Sequence, residues 1–227
     1  MMRNDAPIKA MRTLSTPLKA QQGFTLAEMA IVIVLGGILL AAGLMAGRGQ
    51  ISRAQAQDVI QIAGDLQTAA VTFKQRYGYL PGDWVFVANQ IPNIGAGGTG
   101  GTIGNGLIEG TLSVTTGVAT AADEIGQAPQ QLYQAGLIGK VGSNVQQPLQ
   151  TQFGPVHMAI RSAANTSIAY NNAYPAVPNV IIFYNLPCEV VLDVDRALDD
   201  GDPTTGKVRT SAACPGGGTA VRTFVPL

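Results

Sequence analysis

Three groups of residues in this chain have types and spacings that could do chemistry. Glu28 sits alone inside an apolar run, FTLAEMAIVIVLGGILLAAGLMAG from Phe24 to Gly47, with a small residue, Gly23, directly before it. Asp193, Asp195, Asp199, Asp200 and Asp202 form an acidic cluster late in the chain. Cys188 and Cys214 are the two cysteines, and His157 is the one histidine. A carboxylate in a membrane segment costs about 2.5 to 3.5 kcal/mol or more, so Glu28 asks for a function and a counter-charge. The acidic cluster offers hard oxygen ligands of the kind calcium prefers, although it lacks the EF-hand order. One histidine and no Cys-x-x-Cys argue against zinc. No Ser-His-Asp or Cys-His set can be assembled, which leaves no catalytic residue to nominate.

The elements that position these residues begin with the apolar run. At about 1.5 Å per residue it is long enough to cross a bilayer as a helix. Ahead of it, residues 1–23 are polar and basic, with Arg3, Lys9, Arg12 and Lys19 against Asp5. That asymmetry holds the leader in the cytoplasm and places the chain beyond Arg48 outside. A secretory signal would carry its small-residue cleavage site after the apolar run, whereas here Gly23 precedes it.

QQGFTLAEMAIVIVLGGIL resembles the cleavage and methylation motif of type IV pilins and type II secretion pseudopilins. The resemblance implies a prepilin peptidase that cuts between Gly23 and Phe24 and N-methylates Phe24. It also implies that Glu28 neutralises the Phe24 amine of a neighbouring subunit during assembly. Such a pair would set axial register, because a misplaced subunit leaves both charges unpaired. The plainer reading of Glu28 is a carboxyl kept protonated by burial.

Beyond Gly47 the pattern becomes amphipathic. Val59, Ile62, Leu66, Ala70, Phe73 and Tyr77 recur every three or four residues, and no proline interrupts Ile51 to Tyr77. One long helix from about Phe24 to Tyr77 is predicted, its residues 48–78 packing on a head rather than forming a coiled-coil seam. Tyr79-Leu80-Pro81-Gly82-Asp83 ends it. Similar Y-x-x-LPGD stretches follow the long helix of pseudopilin-like sequences.

The head, residues 79–227, opens with GAGGTGGTIGNG from Gly95 to Gly106, which reads as a flexible surface loop. It is no P-loop, since no Gly-Lys-Ser/Thr follows. Asp123 to Ala135 predicts a helix broken near Pro129. Val156 to Arg161, Asn179 to Tyr184 and Thr219 to Val225 predict strands. Cys188 to Leu198 fits helix or strand periodicity, with helix preferred. The fold class is α+β: a long N-terminal transmembrane and amphipathic helix packed on a small, mainly antiparallel sheet. DDGDPTTG reads first as a solvated turn, similar to stretches near the end of pseudopilin-like proteins, and second as a structural calcium loop. No other cofactor is expected. By resemblance to pilins that staple a C-terminal region, Cys188 and Cys214 pair as a disulfide closing residues 188–214.

Net charge is zero, so no basic footprint argues for nucleic acid. The expectation is a non-enzymatic prepilin-like subunit of the bacterial inner membrane, single-pass, with its head periplasmic or extracellular. Its partners would be other pilin or pseudopilin subunits, the prepilin peptidase and the inner-membrane assembly platform. LPGD and DDGDPTTG tilt the reading towards a pseudopilin or minor pilin. A monomeric membrane-anchored binding module is the alternative.

Overall fold

The computed structural model describes residues 23–83, 90–91, 101–162, 177–214 and 220–227. The leader up to residue 22 and residues 95–100 of the glycine-rich loop lie outside the described residues. The chain divides into two units, Met1–Ala46 and Gly47–Leu227.

In the first unit the described residues are dominated by the start of helix α1 (Leu26–Tyr77). Every large apolar side chain from Phe24 to Leu44 is exposed there, Phe24 at 82% and Leu26 at 92%. Such a surface is stable in water only if something covers it, and its length and composition suit a bilayer.

In the second unit, α1 presents one stripe to a core. Ala56, Val59, Ala63, Leu66, Ala69, Ala70 and Phe73 are buried, at gaps of three and four that keep them on one face. Ile62 and Tyr77, expected in that stripe, lie at its half-buried margin, and Phe73 and Tyr77 stack with ring centroids 4.6 Å apart. The small residues Ala56, Ala63 and Ala69 complete the stripe and let the helix sit close. Gly78 stops the helix in a left-handed conformation (φ 86°), its N–H donating to the Lys74 carbonyl at 2.8 Å.

The sheet has five antiparallel strands in the order β1-β2-β3-β5-β4. They are β1 (Leu149–Gln150), β2 (Pro155–Ile160), β3 (Asn179–Pro187), β4 (Arg209–Thr210) and β5 (Ala220–Pro226). The three longer strands fall on the aliphatic runs that predict them. The two-residue edge strands carry too few residues for any periodicity. Central β3 is buried from Asn179 to Tyr184, then bulges at Asn185, whose φ of 58° an asparagine tolerates.

Helix α2 (Glu124–Gln134) contacts β2, and helix α3 (Cys188–Leu198) contacts β3 and β5. Contrary to expectation, α2 runs unbroken through Pro129. The proline removes one intrahelical hydrogen bond, at a cost of about 3 kcal/mol. Burial of Ile125, Ala128 and Leu132 on the same helix opposes that cost and holds the turn. The ambiguous 188–198 segment is helical. Val190, Val191 and Val194 are buried on one side, the helical rather than the alternating pattern.

Candidate functional site

The N-terminal device is built from three consecutive features. Gly23 and Phe24 are exposed and non-helical, and α1 begins two residues later. No left-handed backbone and no neighbour within 4 Å of a would-be Cβ asks for glycine at position 23. The fold gives no reason for that residue.

Thr25 and Glu28 then close the helix start on each other. The Thr25 N–H and hydroxyl donate to Glu28 Oε2 at 2.8 and 2.9 Å, and the Glu28 N–H donates to Thr25 Oγ1 at 3.2 Å. This is a capping box, with threonine at the N-cap and glutamate at the third helical position. The sequence casts Glu28 as an assembly charge, and the part played by Thr25 emerges only in the fold. Its one signal in the sequence is the T-x-x-E spacing directly before an apolar run. A carboxylate here also faces the positive end of the helix dipole. The cap places its charge within one turn of Phe24, whose nitrogen would become the amine on cleavage.

The head carries three polar arrangements. Asp83, at the end of the LPGD turn, is buried and accepts three backbone N–H bonds. Gly104 and Asn105 donate to Oδ1 at 2.6 and 3.2 Å, and Gly106 donates to Oδ2 at 2.7 Å. The described end of the glycine-rich loop is therefore pinned to the turn that ends α1. Gly82, at φ 89°, donates to Gln131 Oε1 at 2.7 Å and lies so close to α2 that a Cβ would fall 2.4 Å from the Glu124 carbonyl oxygen. The LPGD stretch thus joins three segments of the head by close backbone approach.

Beside it, Glu124 is buried, with Oε2 accepting from the Glu109 N–H at 2.7 Å and Oε1 without a partner. Burial, reinforced by the nearby charges of Asp83, Glu109 and Asp123, pushes its carboxyl up to about 7. His157, structural by expectation, is buried in β2. Its Nε2 lies 2.7 Å from the Gly117 carbonyl, which can only accept, so Nε2 carries the proton. Burial lowers its pKa to about 4.

The acidic cluster splits, as expected for a helix. Asp193 accepts from Ser52 Oγ at 2.7 Å and pairs with Arg196 at 3.1 Å, whereas Asp195 is turned inward. Asp200 and Asp202 order the following turn: Asp200 accepts from the Asp202 N–H at 3.0 Å and the Thr205 hydroxyl at 2.7 Å. Asp202 accepts from the Thr204 N–H at 2.9 Å and the Thr204 hydroxyl at 2.7 Å. Cys188 and Cys214 form a disulfide, with Cα atoms 5.3 Å apart. It joins the start of α3 to the segment between β4 and β5.

Two comparisons with known proteins find a match. A family model described as the prokaryotic N-terminal methylation motif matches residues 18–44. A fimbrial protein of Moraxella nonliquefaciens is 43% identical over 58 residues, which is 26% of this chain and 38% of that relative. The chain therefore spans well under half the length of the curated relative it matches. No solved structure matches the fold. The chain carries a prokaryotic N-terminal methylation motif at the start of a long apolar helix, on an α+β architecture with a small antiparallel sheet.

Proposed function

We propose that this chain is a non-enzymatic structural subunit of a pilin-type filament. It is inserted in the bacterial inner membrane with its leader inside and its head outside. The peptide bond between Gly23 and Phe24 is cut, Phe24 is N-methylated, and the subunit enters a type IV pilus or type II secretion pseudopilus through α1. Glu28 meets the Phe24 amine of the neighbouring subunit. The LPGD and DDGDPTTG stretches favour a pseudopilin or minor pilin over a major one.

One observation carries this reading: an exposed, non-helical Gly23–Phe24 bond stands directly before a capped helix whose large apolar side chains are uncovered through Leu44. A peptidase needs an accessible bond outside the helix, and a bilayer or a filament core needs the apolar surface. Gly36, Gly37 and Gly43 leave open space where a Cβ would sit, which suits close helix contact with other copies.

Mass spectrometry of the membrane protein tests the proposal. The expected mature chain begins at Phe24 and is one methyl group heavier than its sequence. An intact leader overturns the prepilin reading in favour of an anchored monomeric binding module.

A further inference from the structure

Asn105 and Gly106 form the one Asn-Gly step in the chain, since every other asparagine is followed by a residue with a side chain. The step lies at the described end of the glycine-rich loop, with Asn105 exposed and Gly106 left-handed at φ 80°. No atom stands within 4 Å of where a Gly106 Cβ would be, which leaves room beside the backbone nitrogen. An asparagine so placed carries its own reaction partner. The following backbone nitrogen can attack the side-chain amide carbon and close a five-membered ring, and glycine puts no Cβ in the way.

The fold holds each participating atom by a hydrogen bond. The Gly106 N–H donates to Asp83 Oδ2 at 2.7 Å, so the nucleophile already rests on a carboxylate able to take its proton. Asn105 Oδ1 accepts from the Leu107 N–H at 2.8 Å, the kind of donor that a developing oxyanion needs. Asn105 Nδ2, on the leaving-group side, donates to Glu109 Oε2 at 2.9 Å. The last two bonds fix the amide orientation. Turned over, its NH₂ would face the Leu107 N–H and its oxygen the Glu109 carboxylate. Asp83 is buried and also accepts from the Gly104 and Asn105 N–H groups, so the base is held in place. A structural turn asks only for the Asn105–Leu107 bond and a left-handed residue. The chemistry comes from the two carboxylates seated on the same pair.

We propose that Asn105 is a self-modification site, converted within the fold to a mixture of aspartate and isoaspartate. The Gly106 nitrogen gives its proton to Asp83 and attacks Asn105 Cγ, forming the new C–N bond of a cyclic imide. The Cγ–Nδ2 bond breaks, and ammonia leaves with the proton that Asp83 returns through solvent. Water then opens the imide. Attack at Cγ restores the main chain with an aspartate, and attack at the main-chain carbonyl routes the chain through the side chain as isoaspartate. The net change is addition of one water and loss of one ammonia, with no oxidant or reductant. Either product sets a new carboxylate beside Asp83 and Glu109, and isoaspartate also lengthens the backbone of the loop that Asp83 pins. The site does not depend on the filament reading, since all its groups lie within the head.

The test incubates the full chain in detergent at neutral pH, sampled from the moment of purification over several weeks. Digestion and mass spectrometry follow the segment holding Asn105, with isoaspartate scored separately. That segment should gain one mass unit as a mixture of both acids, at a rate no lower than in a synthetic peptide of residues 101–110. Asp83→Asn should slow the conversion about tenfold or more, the effect of losing a general base. Asn105→Gln, whose ring would need one more atom, should stay unconverted. The comparison of parent with peptide needs no variant, so it decides the matter even where Asp83→Asn disturbs the turn. Slower conversion in the chain than in the peptide, aspartate without isoaspartate, or equal rates in the parent and Asp83→Asn would each overturn the assignment.

Discussion

Thr25 and Glu28 cap each other: the threonine N–H and hydroxyl reach one glutamate oxygen, and the glutamate N–H returns to the threonine hydroxyl. Glu28 therefore has a local role as well as the intersubunit role proposed for it, and the two can be separated. Glu28→Gln keeps an oxygen for the Thr25 N–H but removes the charge. Thr25→Ala keeps the charge and removes half the cap, at about 1 kcal/mol. Membrane insertion should survive in both. Filament yield, measured by shearing and immunoblot, should fall at least tenfold in Glu28→Gln and much less in Thr25→Ala. Equal losses would mean that the cap, not the charge, is what assembly needs.

The disulfide closes a loop with a sequence separation of 26. Chain entropy alone assigns such a cross-link roughly 3 to 4 kcal/mol. The double variant Cys188→Ala/Cys214→Ala should lose about that much in urea unfolding, and the parent should match it after reduction. Because Cys188 is fully buried and Cys214 only partly, some of the loss in the variant is packing. The reduced parent isolates the cross-link itself.

How much of the fold is legible in the sequence depends on the range of the interactions involved. The α1 stripe follows from its spacing of three and four, and β2 and β3 from their aliphatic runs, whereas 188–198 fits helix and strand spacing alike and is decided by the side that meets the core. The unbroken α2 escapes a local reading because its continuity depends on burial that overrides a breaker, Pro129. The cap at Thr25 is legible in its spacing, although the apolar run around Glu28 draws the eye to assembly instead. Asp83 and Asp195 are not legible as they stand. The first meets its donors 21 to 23 residues later, and the second is set apart from Asp193 only by which side of α3 faces the core.

Asp83 connects the end of α1 to the close of the glycine-rich loop through three N–H donors. Asp83→Ala takes the carboxylate from all three donors, although the Gly104 N–H keeps the Asp83 carbonyl at 3.2 Å, and should cost roughly 1 to 3 kcal/mol. Asp83→Asn keeps one oxygen, turns an amide NH₂ towards a donor, and should cost roughly half as much. Urea unfolding of the two variants gives the order. Equal stability of Asp83→Ala and the parent would remove Asp83 from its place as the connector.

Glu124 and His157 set opposing pH dependences. Glu124 is held at about 7, above its ordinary 4.5, chiefly by burial, so the folded state favours its neutral form. Its contribution is fully present below about 4.5 and is lost as pH rises through 7. His157 is held at about 4, below its ordinary 6.5, again by burial, so its contribution is present above 6.5 and lost as pH falls through 4. Between those limits the two slopes offset each other, and single variants expose them. Relative to the parent, Glu124→Gln should gain Tm steadily from pH 4.5 to 7, because the burial of a charge has been removed. His157→Gln can still donate to the Gly117 carbonyl, and should gain relative to the parent as pH falls from 6.5 to 4. A Glu124→Gln difference that stays constant across that range would mean the carboxyl is ionised in the fold and its unpaired Oε1 has found a donor.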